Sequence, residues 1–99
     1  MSDTKRAKAE ALRQRVLAGP GDTSPAERAA ASRGVGEGVV GVYVAKVHHQ
    51  ATDVTEGDVE ALRAAGLSDE RIFELTVAAA TGAGFRRLDA VLALLEEAS

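Results

Sequence analysis

The sequence predicts an all-α fold, in which a small helical bundle ends in a C-terminal helical hairpin. Three observations favour it. Apolar residues recur at three- and four-residue steps through the last third of the chain, which is the period of an amphipathic helix. Helix-capping sequences precede several segments, and the chain offers no pair of strand candidates. The predicted helices lie near residues 4–18, 25–32, 39–51, 56–65 and 69–97.

The first two helices are separated by strong stop signals. A narrow apolar stripe that includes Leu12 and Val16 predicts the first helix, and Gly19 followed by Pro20 ends it. Residues 24–27, Ser-Pro-Ala-Glu, open the second helix, because they form a capping box with proline at the first helical position.

The middle of the chain is less clear. Residues 34–38, Gly-Val-Gly-Glu-Gly, lack both the spacing of a dinucleotide-binding loop and a Walker lysine, so we expect a flexible hinge and no cofactor. The β-branched content of segment 39–51 favours a strand, whereas Tyr43, Val44 and Val47 share one face of a helix. Because the chain contains no second strand candidate, we predict a helix there.

The last two helices form the predicted hairpin. A capping sequence at residues 55–58, Thr-Glu-Gly-Asp, begins the first of them. Gly66 ends it, and Leu67 stands where an apolar residue often packs back on the helix. Ser68 is a good N-cap for the final helix, so the connection is short and the two helices lie antiparallel or cross steeply.

Small residues interrupt the final helix at residues 78–84, Ala-Ala-Ala-Thr-Gly-Ala-Gly. Each glycine costs a helix interior roughly 1 kcal/mol against alanine, so a compensating benefit is expected. The flattened face predicts the close approach of another helix, in a core or at a subunit interface, and we expect the interface. The alternative is a kink near Gly82 that opens a pocket. Charged residues such as Arg71, Glu74 and Arg86 argue against a membrane span.

Length and composition predict a single domain, with an N-terminal helical segment and hinge at about residues 1–38 and a helical core at about 39–99. The apolar residues are largely alanine, and the 99 residues include only three aromatic ones, so a monomeric core would be thin. Association would add buried surface. We therefore expect a homo-oligomer.

Charge and cysteine content exclude several classes of function. The net charge is −3 and the signs are mixed along the chain, so we expect no nucleic-acid partner. The chain has no cysteine, which excludes disulfides, thiolate catalysis and cysteine metal sites. No apolar stretch follows the basic residues near the N-terminus, so we expect no signal peptide and a cytoplasmic location. The abundance of arginine and alanine over lysine is typical of a GC-rich bacterial genome.

Residues 54–72, VTEGDVEALRAAGLSDERI, and their continuation to Leu88 resemble the carboxymuconolactone decarboxylase and alkylhydroperoxidase D family. The resemblance covers about residues 43–95. It implies an all-α fold that assembles into homo-oligomers, often trimers or hexamers. Redox members carry a Cys-x-x-Cys pair and a histidine, and those positions correspond here to Ala51, Val54 and Asp58. The peroxidase activity of the family is therefore not expected in this chain.

A few polar residues are candidates for a site. His48 and His49 are candidate general bases, because neutral imidazole is the commonest base near pH 7. Arg86 and Arg87 are candidate holders of a carboxylate, and Tyr43 is a candidate hydrogen-bond donor to a ligand. Each also has an ordinary structural explanation, in surface exposure, salt bridges or core packing. Adjacent histidines on a helix do not easily share one metal ion, so we predict no metal site.

The sequence is compatible with three functions. The first is an oligomeric binding or accessory protein, a non-redox relative of the family without thiol peroxidase activity. The second is a small lyase- or isomerase-like enzyme with a histidine base and an arginine that holds an anion. The third is a helical regulatory protein that binds a related family member through its exposed hairpin. No catalytic residue is assigned, and the substrate and pathway are not readable from the sequence.

Overall fold

The computed structural model describes the backbone of residues 2–98 and the side chains of residues 7–97. This part of the chain is all-α and contains no strand, as predicted. Segment 39–51, the ambiguous one, is helical. A short 3-10 turn at Ala51–Asp53 joins the third and fourth helices. The helices are α1 (Ser2–Ala18), α2 (Pro25–Ser32), α3 (Gly38–Gln50), α4 (Glu56–Ala64) and α5 (Asp69–Ala98).

The predicted capping sequences are confirmed. Glu27 N donates to Ser24 Oγ at 3.1 Å, and Ser24 N donates in return to the Glu27 carboxylate at 3.0 Å. Thr55 and Asp58 form the same reciprocal pair at the start of α4. At the other end of α4, Leu67 N donates to the carbonyl of Leu62 at 3.1 Å, and the Leu67 side chain packs against the core. Local sequence therefore sets the start of α2 and both ends of α4.

The long helix α5 is the scaffold of the fold. Its 30 residues run along a molecule whose longest dimension is 51 Å. The first half of α5 forms the core with α2, α3 and α4, and the second half carries α1. Leu62, Leu75 and Val44 are the largest side chains that are fully buried.

The run of small residues in α5 lets α2 cross at very short range. A Cβ atom added at Gly82 would lie 1.9 Å from the carbonyl oxygen of Ser32, so no side chain fits there. The crossing is made within one chain, and α5 continues as a helix through Gly82. The expectation that this face is a subunit interface is therefore wrong. That expectation came from the short, alanine-rich chain, whose thin core favours burial of this face against a second copy. Helix α2 covers it instead and places Ala31 in the core.

A carboxylate on α5 holds the loop between α1 and α2. Glu74 accepts hydrogen bonds from the backbone amides of Asp22 and Thr23, each at 2.8 Å, and from the Thr23 hydroxyl at 2.5 Å. These donors, the Thr23 hydroxyl first, lower the pKa of Glu74 from 4.5 to about 2. The buried Arg28 adds to this, and its guanidinium also donates to the carbonyl of Val16 at 3.1 Å near the end of α1. A cation at this position also complements the helix dipole.

Between residues 2 and 98, no helix combines the length and the apolar character needed to cross a bilayer.

Candidate functional site

A cavity of about 310 Å³ lies where α1, α2 and α3 meet the middle of α5. Its walls combine apolar groups with charged side chains and one histidine, and each of the four helices supplies at least one of them. The lining residues are Arg13, Leu17, Ser32, Arg33, His48, Thr81, Gly82, Phe85, Arg86 and Asp89.

His48 contributes a nitrogen that is free to accept a hydrogen bond. The residue is buried, and its Nδ1 lies 3.2 Å from the carbonyl oxygen of Ala79. Because a carbonyl only accepts, Nδ1 carries the hydrogen and donates it, and Nε2 of the neutral ring keeps its lone pair. Among the described side chains, the buried polar atoms without a partner are Nε of Arg28 and Nε of Arg71. Nε2 of His48 has no hydrogen-bond partner among the described residues and is not one of these two fully buried atoms, so it retains some exposure.

The glycine run before α3 makes room for this histidine. Gly34 has a φ of +74°, and a Cβ atom built on it would lie 3.2 Å from the Cβ and Cγ of His48. Backbone hydrogen bonds fix the turn, since Gly34 N donates to the carbonyl of Ala31 at 2.8 Å and Val35 N to that of Ala30 at 3.0 Å. The turn that ends α2 and the backbone of α5 therefore hold the His48 ring from two directions.

The cavity carries an excess of positive charge. Arg13 donates to both carboxylate oxygens of Asp89, at 3.0 and 2.9 Å, and lies 4.7 Å from the centre of the Phe85 ring. Arg33 and Arg86 are exposed at the edge, and neither has a hydrogen-bond or ion-pair partner among the described residues. The lining thus contains three arginines and a single acid, and two of the arginines are available to an anion.

Two of the five candidates from the sequence meet in this cavity, and the other three lie outside it. His48 and Arg86 both line it. His49 is exposed, does not line the cavity, and contacts the His48 ring edge-on, with 4.6 Å between ring centres. Arg87 is exposed and does not line the cavity. Tyr43 is buried, and its hydroxyl is hydrogen-bonded to Thr76 Oγ1 at 2.7 Å.

Sequence reasoning missed Arg13, Arg33, Phe85 and Asp89. Their roles depend on α1 and α2 folding over α5, which joins residues up to 76 positions apart. No local motif signals such a contact. The spacing of Phe85 and Asp89, four residues apart on α5, does place them on one helix face, and that was the only available hint.

The positions that the family resemblance assigns to redox residues lie outside the cavity. Asp58 accepts from Thr55 N at 2.8 Å and pairs with Lys46 Nζ at 3.0 Å. The backbone amide of Thr55 and then the Lys46 ammonium lower the pKa of Asp58. This carboxylate therefore serves to begin α4. Among the described side chains, no group of three or more His, Cys, Asp or Glu is placed to hold a metal ion.

A second, more open hollow between α4 and α5 has a different character. Its charged groups already neutralise each other, because Arg63 Nε donates to Asp69 at 2.8 Å and the same guanidinium also pairs with Glu60. The hollow offers no unpaired cation among its lining residues. The cavity at His48 is therefore the candidate site.

Comparison of the chain with protein-family models, with curated proteins and with solved structures found no match in any of the three.

Proposed function

We propose that the chain binds a small organic anion in the cavity at His48. One observation supports the proposal above the others. The same cavity is lined by Arg33 and Arg86, whose guanidinium groups have no partner among the described residues, and by His48, whose Nε2 keeps a lone pair. Functional pockets commonly combine apolar walls with a few convergent polar groups, and this cavity has that composition.

The ligand chemistry follows from the lining. A guanidinium group matches a carboxylate with two parallel hydrogen bonds, so Arg86 or Arg33 suits a carboxylate. Phe85 and Leu17 offer an apolar surface to the body of the same molecule. At about 310 Å³ the cavity is at the small end of ligand pockets, which favours a metabolite-sized molecule over a peptide or a nucleotide.

The proposal includes the family resemblance in its non-redox form. The chain has no cysteine, so the thiol chemistry of the redox members is impossible, and a binding or accessory role is the simpler function. The capping box at Thr55 and the positive-φ turn at Gly66 agree with the local pattern on which this resemblance is based.

A homo-oligomer is also part of the proposal. Four apolar side chains on the second half of α5 remain exposed, and their three- and four-residue spacing puts most of them on one helix face. Burial of this stripe against a second copy would supplement a core made mainly of small residues. The stripe consists of Leu88, Val91, Leu94 and Leu95.

Calorimetric titration tests the binding proposal. Benzoate, phenylacetate and 2-oxobutanoate are compared with the uncharged benzamide. We expect binding of at least one carboxylate and none of benzamide. Arg86→Gln should weaken that binding about tenfold or more, because a hydrogen bond between charged groups is worth roughly 1.5–3 kcal/mol.

Arg87→Gln is the matched control, since it removes the same charge from the next residue of α5, outside the cavity. Equal losses in the two variants would assign the effect to general electrostatics and not to the cavity. No binding of any of the three carboxylates would contradict the proposal.

A further inference from the structure

We propose that the cavity also catalyses proton transfer at a carbon next to a carbonyl group of the bound anion, with His48 Nε2 as the base. The inference rests on the proposed anion binding and goes beyond it, because binding alone needs no base. What points to it is the way the ring is held. His48 is buried, Gly34 packs against one part of the ring, and Nδ1 donates to the carbonyl of Ala79.

This arrangement prepares the ring for proton transfer. The hydrogen bond to Ala79 selects the tautomer in which Nε2 has the lone pair, and it persists when the ring becomes positively charged. A histidine that only filled space would not need to line the same cavity as two arginines that have no partner among the described residues. His49, the other histidine, lies outside the cavity.

The proposed reaction balances without an oxidant or a reductant. Nε2 takes the proton as the C–H bond of the substrate breaks, and the electron pair of that bond moves into the neighbouring carbonyl to form an enolate. The guanidinium of Arg86 or Arg33 offers positive charge to the enolate oxygen, within walls that Phe85 and Leu17 make partly apolar. The proton on Nε2 exchanges with solvent, and Nε2 then delivers a solvent proton to the same carbon, which gives isotope exchange. Delivery of the proton to a conjugated carbon gives an isomer.

Hydrogen–deuterium exchange tests the inference. The probe is 2-oxobutanoate, which carries a carboxylate, a carbonyl group and exchangeable protons at C3. In D₂O, the loss of the C3 proton signal is followed by NMR, and binding is measured by calorimetry on the same preparations. We expect the protein to accelerate exchange above the buffer rate.

A general base usually contributes a factor of about 100 or more to the rate. His48→Asn should therefore lower the exchange rate by at least about that factor, or down to the rate in buffer alone. Asparagine retains an N–H that can reach the Ala79 carbonyl, so it removes the base and keeps the donor. Arg87→Gln is the control and should leave the exchange rate unchanged, because Arg87 is exposed and does not line the cavity.

The outcomes separate the two proposals. Binding of 2-oxobutanoate without exchange overturns the catalytic inference and leaves the binding function in place, whereas an absence of any carboxylate binding overturns both. Exchange that survives His48→Asn overturns the assignment of the base.

A measurement on the unmodified chain guards against a variant that does not fold. The ¹⁵N spectrum of His48 should show a protonated Nδ1 and a bare Nε2, and the opposite tautomer would overturn the inference.

Discussion

Arg13 on α1 holds both carboxylate oxygens of Asp89 on α5, with nitrogen–oxygen distances of 3.0 and 2.9 Å. The pair forms one wall of the candidate cavity and joins two helices that are far apart in the sequence. It also determines which arginines are free, because Asp89 neutralises Arg13 and leaves Arg33 and Arg86 without a partner among the described residues. Asp89 thus pairs with the guanidinium group of Arg13, which a bound anion would otherwise contact.

The first prediction concerns this pair. Asp89→Asn should tighten the binding of a carboxylate, because Nη2 of Arg13 loses its charged partner in the cavity, while Nη1 stays paired with Glu10. We expect a gain of about 1 kcal/mol, or about fivefold in Kd. The same change should lower the free energy of unfolding by roughly 0.5–1 kcal/mol, since the pair is only partly buried. Calorimetry and urea denaturation measure the two effects.

Glu10→Gln is the control for that variant, because Glu10 pairs with Arg13 on the exposed side, at 3.2 Å. It should change neither the affinity nor the stability by more than about 0.5 kcal/mol. Weaker carboxylate binding in Asp89→Asn would show that Asp89 itself contacts the ligand, contrary to the proposed site.

The second prediction concerns the crossing of α2 and α5. Gly82→Ala should reduce the free energy of unfolding by about 1–3 kcal/mol, because the new Cβ would overlap the carbonyl oxygen of Ser32. Gly84→Ala should instead stabilise the protein by up to about 1 kcal/mol, since a Cβ there meets nothing within 4 Å and alanine is the better helix former. Thermal melting of the two variants decides the point. Stabilisation by both would rule out the close approach of α2.

The third prediction concerns pH. The pKa of Glu74 is about 2 in the folded chain and 4.5 ordinarily, so its carboxylate stabilises the fold fully above about pH 4.5. That contribution is lost as the pH falls from 4.5 towards 2. Glu74→Gln should therefore be less stable than the parent at pH 7, with a difference that shrinks at pH 3 and vanishes near pH 2. Urea denaturation at several pH values measures this.

Glu70→Gln serves as the comparison, because Glu70 is exposed on the same helix and makes no side-chain hydrogen bond to a described residue. It should show no comparable dependence on pH. A Glu74→Gln variant that is destabilised equally at pH 7 and pH 3 would mean that the carboxylate charge is not what holds residues 22–23.

The fourth prediction concerns self-association. In sedimentation experiments the protein should be larger than its 10.2 kDa monomer, and Val91→Glu should restore the monomer by placing a charge in the exposed apolar stripe. Ala93→Glu is the matched control, because residue 93 is exposed on the opposite face of α5. A parent protein that sediments as a monomer at all concentrations would contradict the proposed oligomer.

The features that could be predicted from the sequence are those encoded within a few residues. The capping boxes at Ser24 and Thr55 and the glycine stop at Gly66 set helix ends, and all lie where the sequence placed them. The sequence also identified His48 as a candidate base and Arg86 as a candidate carboxylate-binding residue, and both line the cavity. Their meeting in one cavity was not predictable, because it depends on where α2 docks. The structural role of Arg28 was not predicted for the same reason, because it depends on a hydrogen bond to the carbonyl of Val16 on α1.

The close packing at Gly82 also bears on the order in which the molecule assembles. Loop closure over long separations is entropically costly, and Thr23 meets Glu74 across 51 positions and Arg13 meets Asp89 across 76. During synthesis, α1 and α2 leave the ribosome before α5, the helix on which they pack. Helices α1 and α2 are therefore made without the surface they pack on, and the core and the cavity close only after α5 has been made.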